Sequence, residues 1–240
     1  MRIPGWLLSI SRTVLVLAMP LVLLFSPLYL FATPGFVRHE YSLRDFPPSE
    51  RFAPEERLRI SDTILHYLRN KATLADMSEE TTDSGEIALL PSEVQHLVDV
   101  KVVMDGIFAA HAVAVGLGLV AALLLWFSPR RHWLPTALRQ GVWLMGGIIA
   151  FILVFSFIDF DVFFTRFHQI FFQPGTWVFY ETDTLIQLYP LPFWMDAVWK
   201  IGVTTLVLSG LVYLLAHLLD RSPAVAAAAA PATLDSDTPR

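Results

Sequence analysis

The chain has 240 residues, of which 55% are hydrophobic and only 16% are charged, and its mean hydropathy is positive. A soluble domain of this length normally carries about a quarter charged residues. The net charge of -5 comes without a basic run of the kind that binds nucleic acid, and the absence of cysteine excludes disulfides, thiol nucleophiles and Cys-ligated metals. The composition therefore predicts an all-α integral membrane protein.

Four segments reach the length of roughly 20 apolar residues that the hydrocarbon core of a bilayer requires. They run from about Thr13 to Ala32, Gly106 to Ser128, Gln140 to Ile158 and Ile201 to Leu219. We predict that these four transmembrane helices and their loops form a single membrane-embedded domain over residues 1–220, followed by a disordered tail over residues 221–240.

Basic residues beside the spans predict the orientation, because short cytoplasmic loops are rich in Lys and Arg. The loop between the second and third spans holds Arg130, Arg131 and Arg139 and no acidic residue. Both termini and this loop are therefore expected in the cytoplasm. The external part is then a small helical and loop domain made of residues 33–105 and 159–200.

The first external piece contains one clear amphipathic helix signal, in the stretch APEERLRISDTILHYLRNK. Pro54 and the two glutamates after it favour a helix start, and apolar residues recur at helical spacing behind them. Residues 75–86 are typical of a flexible surface segment. Ser92 is the expected N-cap of a helix that continues without a break into the second span.

The second external piece is rich in phenylalanine and begins with FTRFHQIFFQPGTW, from Phe164 to Trp177. A turn is expected at Pro174-Gly175. Asp183 resembles the start of a short helix that Pro190 and Pro192 end. The aromatic residues are compatible with two interpretations: an interfacial anchor, or a lipid-lined pocket built around His168.

Two of the seven histidines, His96 and His168, are expected at one level just above the external membrane surface if their helices continue outward. Asp99 follows His96 at i+3 and projects from the same helix face. A carboxylate there can fix the imidazole tautomer and raise its basicity, as a general base requires. His111, inside the second span, is instead expected to pack or to form a helix–helix hydrogen bond.

Several conventional chemistries lose support because their motifs are absent. The sequence has no contiguous zinc spacing such as H-E-x-x-H, no Gly-rich phosphate loop and no Gly-x-Ser-x-Gly elbow. We therefore predict no metal and no cofactor.

The sequence around both histidines resembles a known family. The stretches EVQHLVDVK (Glu93 to Lys101) and FHQIFF, then Trp177, TDTLIQLYP and FW, are similar to the lipoprotein intramolecular transacylases. These are four-span bacterial membrane proteins, formerly catalogued as a domain of unknown function. The similarity covers roughly Arg12 to Leu219.

This resemblance implies an enzyme, an acyltransferase, at the extracytoplasmic face of the bacterial cytoplasmic membrane. Its substrates would be diacylglyceryl-modified lipoproteins, with membrane phospholipid as the surrounding partner. The enzyme would move the acyl chain from the middle glycerol carbon, the sn-2 position, to the α-amino group of the modified cysteine. The product would be an N-acyl S-monoacylglyceryl lipoprotein, the lyso form.

The resemblance carries the catalytic function over to His96 and His168, with Asp99 and Lys101 matching the rest of the first motif. Aminolysis of an ester fits this chemistry, since an α-amino group with a pKa near 8 can pass its proton to a histidine. Donor and acceptor belong to one molecule, and well-oriented tethered reactions reach effective molarities of roughly 10⁵ M.

The working hypothesis assigns the base to His168, while His96, oriented by Asp99, supports the oxyanion or shares the proton transfer. The assignment between the two histidines stays open. Lys101 is expected to receive an anionic group, and Arg166 either binds a headgroup or reaches water. The expected acyl-chain wall consists of Phe164, Phe167, Phe171 and Trp177.

Two other functions remain open at this stage. The protein could bind lipid or lipoprotein without catalysis, in which case both histidines would be replaceable. A small-molecule transporter has less support, because the spans lack the internal charges that mark ion or proton paths.

Overall fold

The computed structural model describes residues 3–221, which fold into ten helices joined by short loops. In chain order they are α1 (Gly5–Phe25), α2 (Leu28–Phe31), α3 (Pro34–Tyr41), α4 (Pro54–Leu68), α5 (Leu74–Ser78), α6 (Pro91–Trp126), α7 (Trp133–Ile158), α8 (Phe160–Phe171), α9 (Thr184–Leu188) and α10 (Leu191–Asp220). The prediction of an all-α chain is confirmed. The tail that was expected to be disordered lies outside the described residues, apart from Arg221.

Four helical stretches are long and apolar enough to cross a membrane: Gly5–Phe31, Pro91–Trp126, Trp133–Ile158 and Leu191–Asp220. The shortest has 26 residues, and at about 1.5 Å per residue it exceeds the roughly 30 Å of the hydrocarbon core. Only 17% to 33% of each apolar stretch is buried. Side chains such as Val113, Phe151 and Val207 are largely exposed, as lipid-facing positions would be. The four predicted spans are confirmed.

The start of α6 differs from the prediction in where the helix begins and in which side chain accepts a backbone N–H there. The helix begins at Pro91, so Ser92 lies inside its first turn and does not cap it. The carboxylate of Glu93 accepts the backbone N–H of Leu90 at 2.8 Å, which satisfies a donor that the helix itself leaves free. From there α6 continues unbroken to Trp126, as expected.

The chain forms two compact units. The first contains residues 3–23, 113–147 and 207–221 of the described chain. Within it, α1 and α7 approach closely at Gly141, where a Cβ atom would collide with the side chain of Met19. Small residues at such contacts allow membrane helices to pack backbone against backbone.

The second unit contains residues 24–112 and 148–206. Its core joins α4 to α9 and to the first turns of α6, with Ile60, Ile64 and Leu188 almost fully buried. Glu93, also fully buried, accepts the backbone N–H of Leu185 at 2.7 Å through its second oxygen. This carboxylate therefore fixes the position of α9 against the helix that carries His96. The second unit also contains His111 on α6 and Ser26 in the turn after α1. Their Nε2 and Oγ atoms are 3.1 Å apart, so the hydrogen bond expected of His111 joins it to the first span.

The prediction of a flexible segment over residues 75–86 was wrong. The short helix α5 begins with a capping box formed by Thr73 and Asp76, and Gly85 occupies a turn at φ +86° that favours glycine. Arg59 on α4 forms ion pairs with Glu80 and Asp83. Because this arginine lies more than 20 positions earlier in the chain, no local sequence pattern reveals the contact.

The segment over residues 159–200 follows its predicted order. Asp159 caps α8 by accepting the N–H of Val162 at 2.9 Å. Gly175 adopts φ +86° in the expected turn. The short helix α9 follows Asp183, as predicted, and ends before Pro190. These elements place the aromatic face of α8 beside the first turns of α6.

Candidate active site

His96 on α6 and His168 on α8 lie side by side in the second unit. Their ring centroids are 6.2 Å apart, and the ring planes differ by 27°. Both side chains are buried, with exposures of 8% and 9%. The structure thus brings together the two histidines that the sequence placed at one level.

A backbone hydrogen bond fixes the tautomer of His168. Its Nδ1 lies 2.8 Å from the carbonyl oxygen of Phe164, one helical turn earlier. A carbonyl can only accept, so Nδ1 carries the proton and Nε2 presents its lone pair. Burial lowers the pKa of His168 below its ordinary value, against an opposing effect of the Phe164 hydrogen bond. His168 is therefore neutral at pH 7, with Nε2 ready to accept a proton.

His96 is positioned differently, because its Nδ1 is buried and has no hydrogen-bond partner within residues 3–221. A buried polar atom left unsatisfied costs about 1–3 kcal/mol. Atoms of this kind are satisfied by an ordered water or by a bound ligand. His96 Nδ1 is thus available to a water or ligand beside the pair.

Asp99 does not orient His96 through a hydrogen bond. Its carboxylate accepts from the side-chain amide of Gln95 at 3.1 Å, and the described residues contain no hydrogen bond between Asp99 and His96. The i,i+4 spacing of Gln95 and Asp99 brings these two side chains together on the helix surface. The hydrogen bond by which Asp99 was expected to fix the His96 tautomer is thus absent from the described residues.

Aromatic rings enclose His168. The ring centroids of Phe164, Phe167 and Trp177 lie 4.1, 5.5 and 4.8 Å from that of the imidazole. Phe171 stands one layer further out, 5.0 Å from Phe167. The indole Nε1 of Trp177 is buried and has no hydrogen-bond partner among the described residues, so a second unpaired polar atom borders the site.

Two further rings complete the enclosure and were not predicted as site residues. Phe172 lies 5.0 Å from His96 and 5.5 Å from His168, so it contacts both imidazoles. It directly follows the last residue of α8, where its backbone N–H donates to the carbonyl of His168 at 2.8 Å, and its nearness to His168 in the sequence could have indicated this contact. Phe179 lies 5.5 Å from His96 but follows the turn at Gly175, and no periodic pattern points to it.

Two predicted substrate-binding residues are not brought to the histidines. Lys101 forms an ion pair with Asp105 at 3.2 Å and donates to the side chain of Asn70. Arg166 is exposed and donates to Gln169 on its own helix at 3.0 Å. Neither contact involves the histidine pair.

A groove of about 460 Å³ runs beside the pair. Val102, Val103 and Phe171 form apolar walls, while Asp99 and Thr176 provide polar positions. Phe172 lines the groove and also contacts both imidazoles, so the groove lies next to the histidine pair. No three histidine, aspartate or glutamate side chains converge as a metal site anywhere in residues 3–221.

Residues 11–194 match the sequence pattern of the family described as lipoprotein intramolecular transacylase Lit. The chain belongs to this family. The matched range includes both histidines and the aromatic residues around them. It makes up most of the chain.

Solved structures with a similar fold belong to the same family. The membrane-integral transacylase Lit from Bacillus cereus is 20% identical and superposes with a TM-score of 0.58, covering 89% of this chain and 93% of that one. A variant of that protein, with one histidine replaced by alanine, gives a TM-score of 0.64 at 19% identity and covers 90% and 94% of the two chains. An uncharacterised protein of Aquifex aeolicus (strain VF5) is 25% identical over 178 residues, covering 74% of this chain and 79% of that protein.

Proposed function

We propose that this chain transfers the sn-2 acyl group of an S-diacylglyceryl cysteine to the α-amino group of the same cysteine. The family acts on lipoproteins, and the observation that supports this specific reaction is the buried pair of His168 and His96. The two rings are 6.2 Å apart inside an aromatic enclosure, and one nitrogen is poised to accept a proton. The site would open at the extracytoplasmic face of the cytoplasmic membrane.

The reaction begins when the neutral amine attacks the ester carbonyl carbon. As the C–N bond forms, the nitrogen becomes acidic and passes a proton to Nε2 of His168. The tetrahedral intermediate then collapses, the bond to the glycerol oxygen breaks, and Nε2 returns the proton to that oxygen. The products are an amide and a free sn-2 hydroxyl, so the lipoprotein keeps its mass.

The oxyanion of the intermediate requires hydrogen-bond donors that are already in place. Trp177 offers its indole N–H, which is buried and has no hydrogen-bond partner in the described chain. The centroid of its ring lies 4.8 Å from that of the His168 ring. His96 supplies the second polar contact from the other side. A donor without a competing partner loses no existing hydrogen bond when the negative charge develops.

The aromatic enclosure suits a substrate with acyl chains. Phe167 and Phe171 are each more than 40% exposed on α8, so they can contact lipid as well as the site. A buried, uncharged site also favours the neutral amine over the ammonium form, because burial penalises the charged state. The main task of the protein is therefore to hold one flexible substrate with its amine close to its ester carbonyl. Chemical activation of the amine contributes less.

Mass spectrometry tests the proposal directly. The chain is expressed in a host that makes diacyl lipoproteins, and the N-terminal peptides of these lipoproteins are fragmented. We expect one acyl chain on the cysteine amine with no change in peptide mass. Peptides in which both chains stay on the glycerol would contradict transfer and support a protein that only binds lipoprotein.

The pH dependence of the purified enzyme should show two ionisations on its acidic side. The substrate amine, with a pKa near 8, gives a slope of one below that pH. Because burial lowers the pKa of His168, this histidine stays neutral down through pH 6.5 and loses its role as base only below it. The slope of log(kcat/KM) against pH should therefore rise from one to two below pH 6.5. A steepening at or above pH 6.5 would contradict the proposed base.

Replacing Trp177 with phenylalanine should lower kcat by about 10²-fold with little change in KM, because the ring remains and only the N–H is lost. The measurement is the rate of N-acyl product formation at saturating lipopeptide. Trp199→Phe is a matched control, since Trp199 packs edge-to-face against Phe157 and makes no described contact with either histidine. Equal rates for the two variants would remove Trp177 from the oxyanion site.

A further inference from the structure

A second groove, of about 520 Å³, lies in the other unit, between α1 and the start of α7. Its polar positions include Ser9, Arg12 and Gln140, and its apolar ones Val16 and Leu17. On a helix that rises about 1.5 Å per residue, Leu17 lies roughly 7 Å further along the span than Arg12. The groove therefore changes from polar to apolar along a transmembrane helix.

Two arginines converge on one indole beside this groove. The guanidinium of Arg12 lies 5.5 Å from the ring of Trp133, and that of Arg130 lies 4.6 Å from it. Arg12 donates to Gln140 at 3.2 Å and Arg130 to the carbonyl of Gly5 at 3.5 Å, both neutral acceptors. Neither guanidinium forms an ion pair with a carboxylate within residues 3–221.

Two positive charges beside one ring repel each other, and an anion bound to both offsets this repulsion. Arg139 in the same unit shows the contrast, because its charge is balanced by Asp220 at 2.9 Å. No acidic residue lines the groove. The described chain therefore leaves the positive charges of Arg12 and Arg130 without a carboxylate partner.

We propose that this groove binds the headgroup of an anionic phospholipid. Its phosphate binds Arg12, which lines the groove, and Arg130, which contacts the same indole, through the contacts that guanidinium groups form with phosphate. Its acyl chains follow Val16 and Leu17, and Leu17 is 59% exposed on a helix long enough to span the membrane. A free phosphate would use the arginines but leave these apolar positions without a partner. The site is separate from the histidine pair and does not depend on the proposed reaction.

The test uses the full chain purified in a zwitterionic detergent and titrated with phosphatidylglycerol, phosphatidylcholine or inorganic phosphate. Native mass spectrometry and the Tm report binding. We expect one phosphatidylglycerol per chain, and a loss of affinity of at least about tenfold in the double variant Arg12→Gln/Arg130→Gln. Arg139→Gln removes one positive charge from the same unit and should retain the lipid.

Three results would overturn the proposal: undiminished phosphatidylglycerol binding by the double variant, equal retention of phosphatidylcholine, or an equal rise in Tm with inorganic phosphate. A photoactivatable phosphatidylglycerol tests the unmodified chain should the double variant fail to fold. Crosslinks within residues 9–17 or 133–140 would support the site. Crosslinks confined to other residues would count against it.

Discussion

Replacing His168 with alanine is expected to lower the rate of N-acyl product formation by about 10²- to 10⁴-fold, the range that a general base contributes. The substitution removes Nε2, the proposed proton acceptor. Its protonation state follows from the structure, because Nδ1 donates to the carbonyl of Phe164 at 2.8 Å and Nε2 therefore stays free to accept. The rate is measured on a diacylglyceryl lipopeptide under single-turnover conditions. Such conditions report the chemical step without contributions from product release.

The matched control is His66→Ala. His66 is exposed on α4 and makes no described side-chain contact, so this variant should keep its rate and its expression level. Wild-type activity in His168→Ala would rule out His168 as the base. A protein that loses activity only because it no longer accumulates in the membrane would be recognised by its expression level.

The sequence predicts the long helices well and their ends less well. Apolar length alone identifies the four spans, because the bilayer imposes it on the chain. The start of α6 depends instead on Glu93, whose two oxygens hold the backbone of Leu90 and of Leu185, far apart in sequence. Likewise, Arg59 orders residues that a local reading assigns to a flexible segment. Contacts between distant residues determine these details.

In the candidate site, too, the sequence predicts some features and misses those that depend on contacts between side chains. His96 and His168 could be paired from their distance to the span ends and from the family resemblance. Asp99 was expected to orient His96 on helical spacing alone, but Gln95 on the same helix competes for its carboxylate. The unpaired N–H of Trp177 could not be predicted, since it depends on every group that packs around the indole.

The two histidines differ in what holds them, and this difference explains how they can share a reaction. His168 is locked by its own helix, so its tautomer is set before the substrate arrives. The buried Nδ1 of His96 has no partner within the described chain, so its contact waits for the substrate. One histidine is thus suited to proton transfer and the other to charge stabilisation.

Replacing His96 with alanine is therefore expected to lower the rate by about 10²-fold or more, because the oxyanion loses a contact that no other imidazole supplies. The double variant His96→Ala/His168→Ala should be hardly slower than the slower single variant, since residues that act as a unit have strongly non-additive effects.

Single-turnover rates of the two single variants, the double variant and a control variant test this coupling. The control is His39→Ala, because the side chain of His39 is exposed on α3. Because Asp99 binds Gln95 and not the imidazole, Asp99→Asn should cost less activity than His96→Ala. Losses that simply multiply in the double variant would mean that the two imidazoles act independently. An Asp99→Asn loss as large as that of His96→Ala would restore Asp99 as the group that orients His96, through a hydrogen bond formed only with substrate bound.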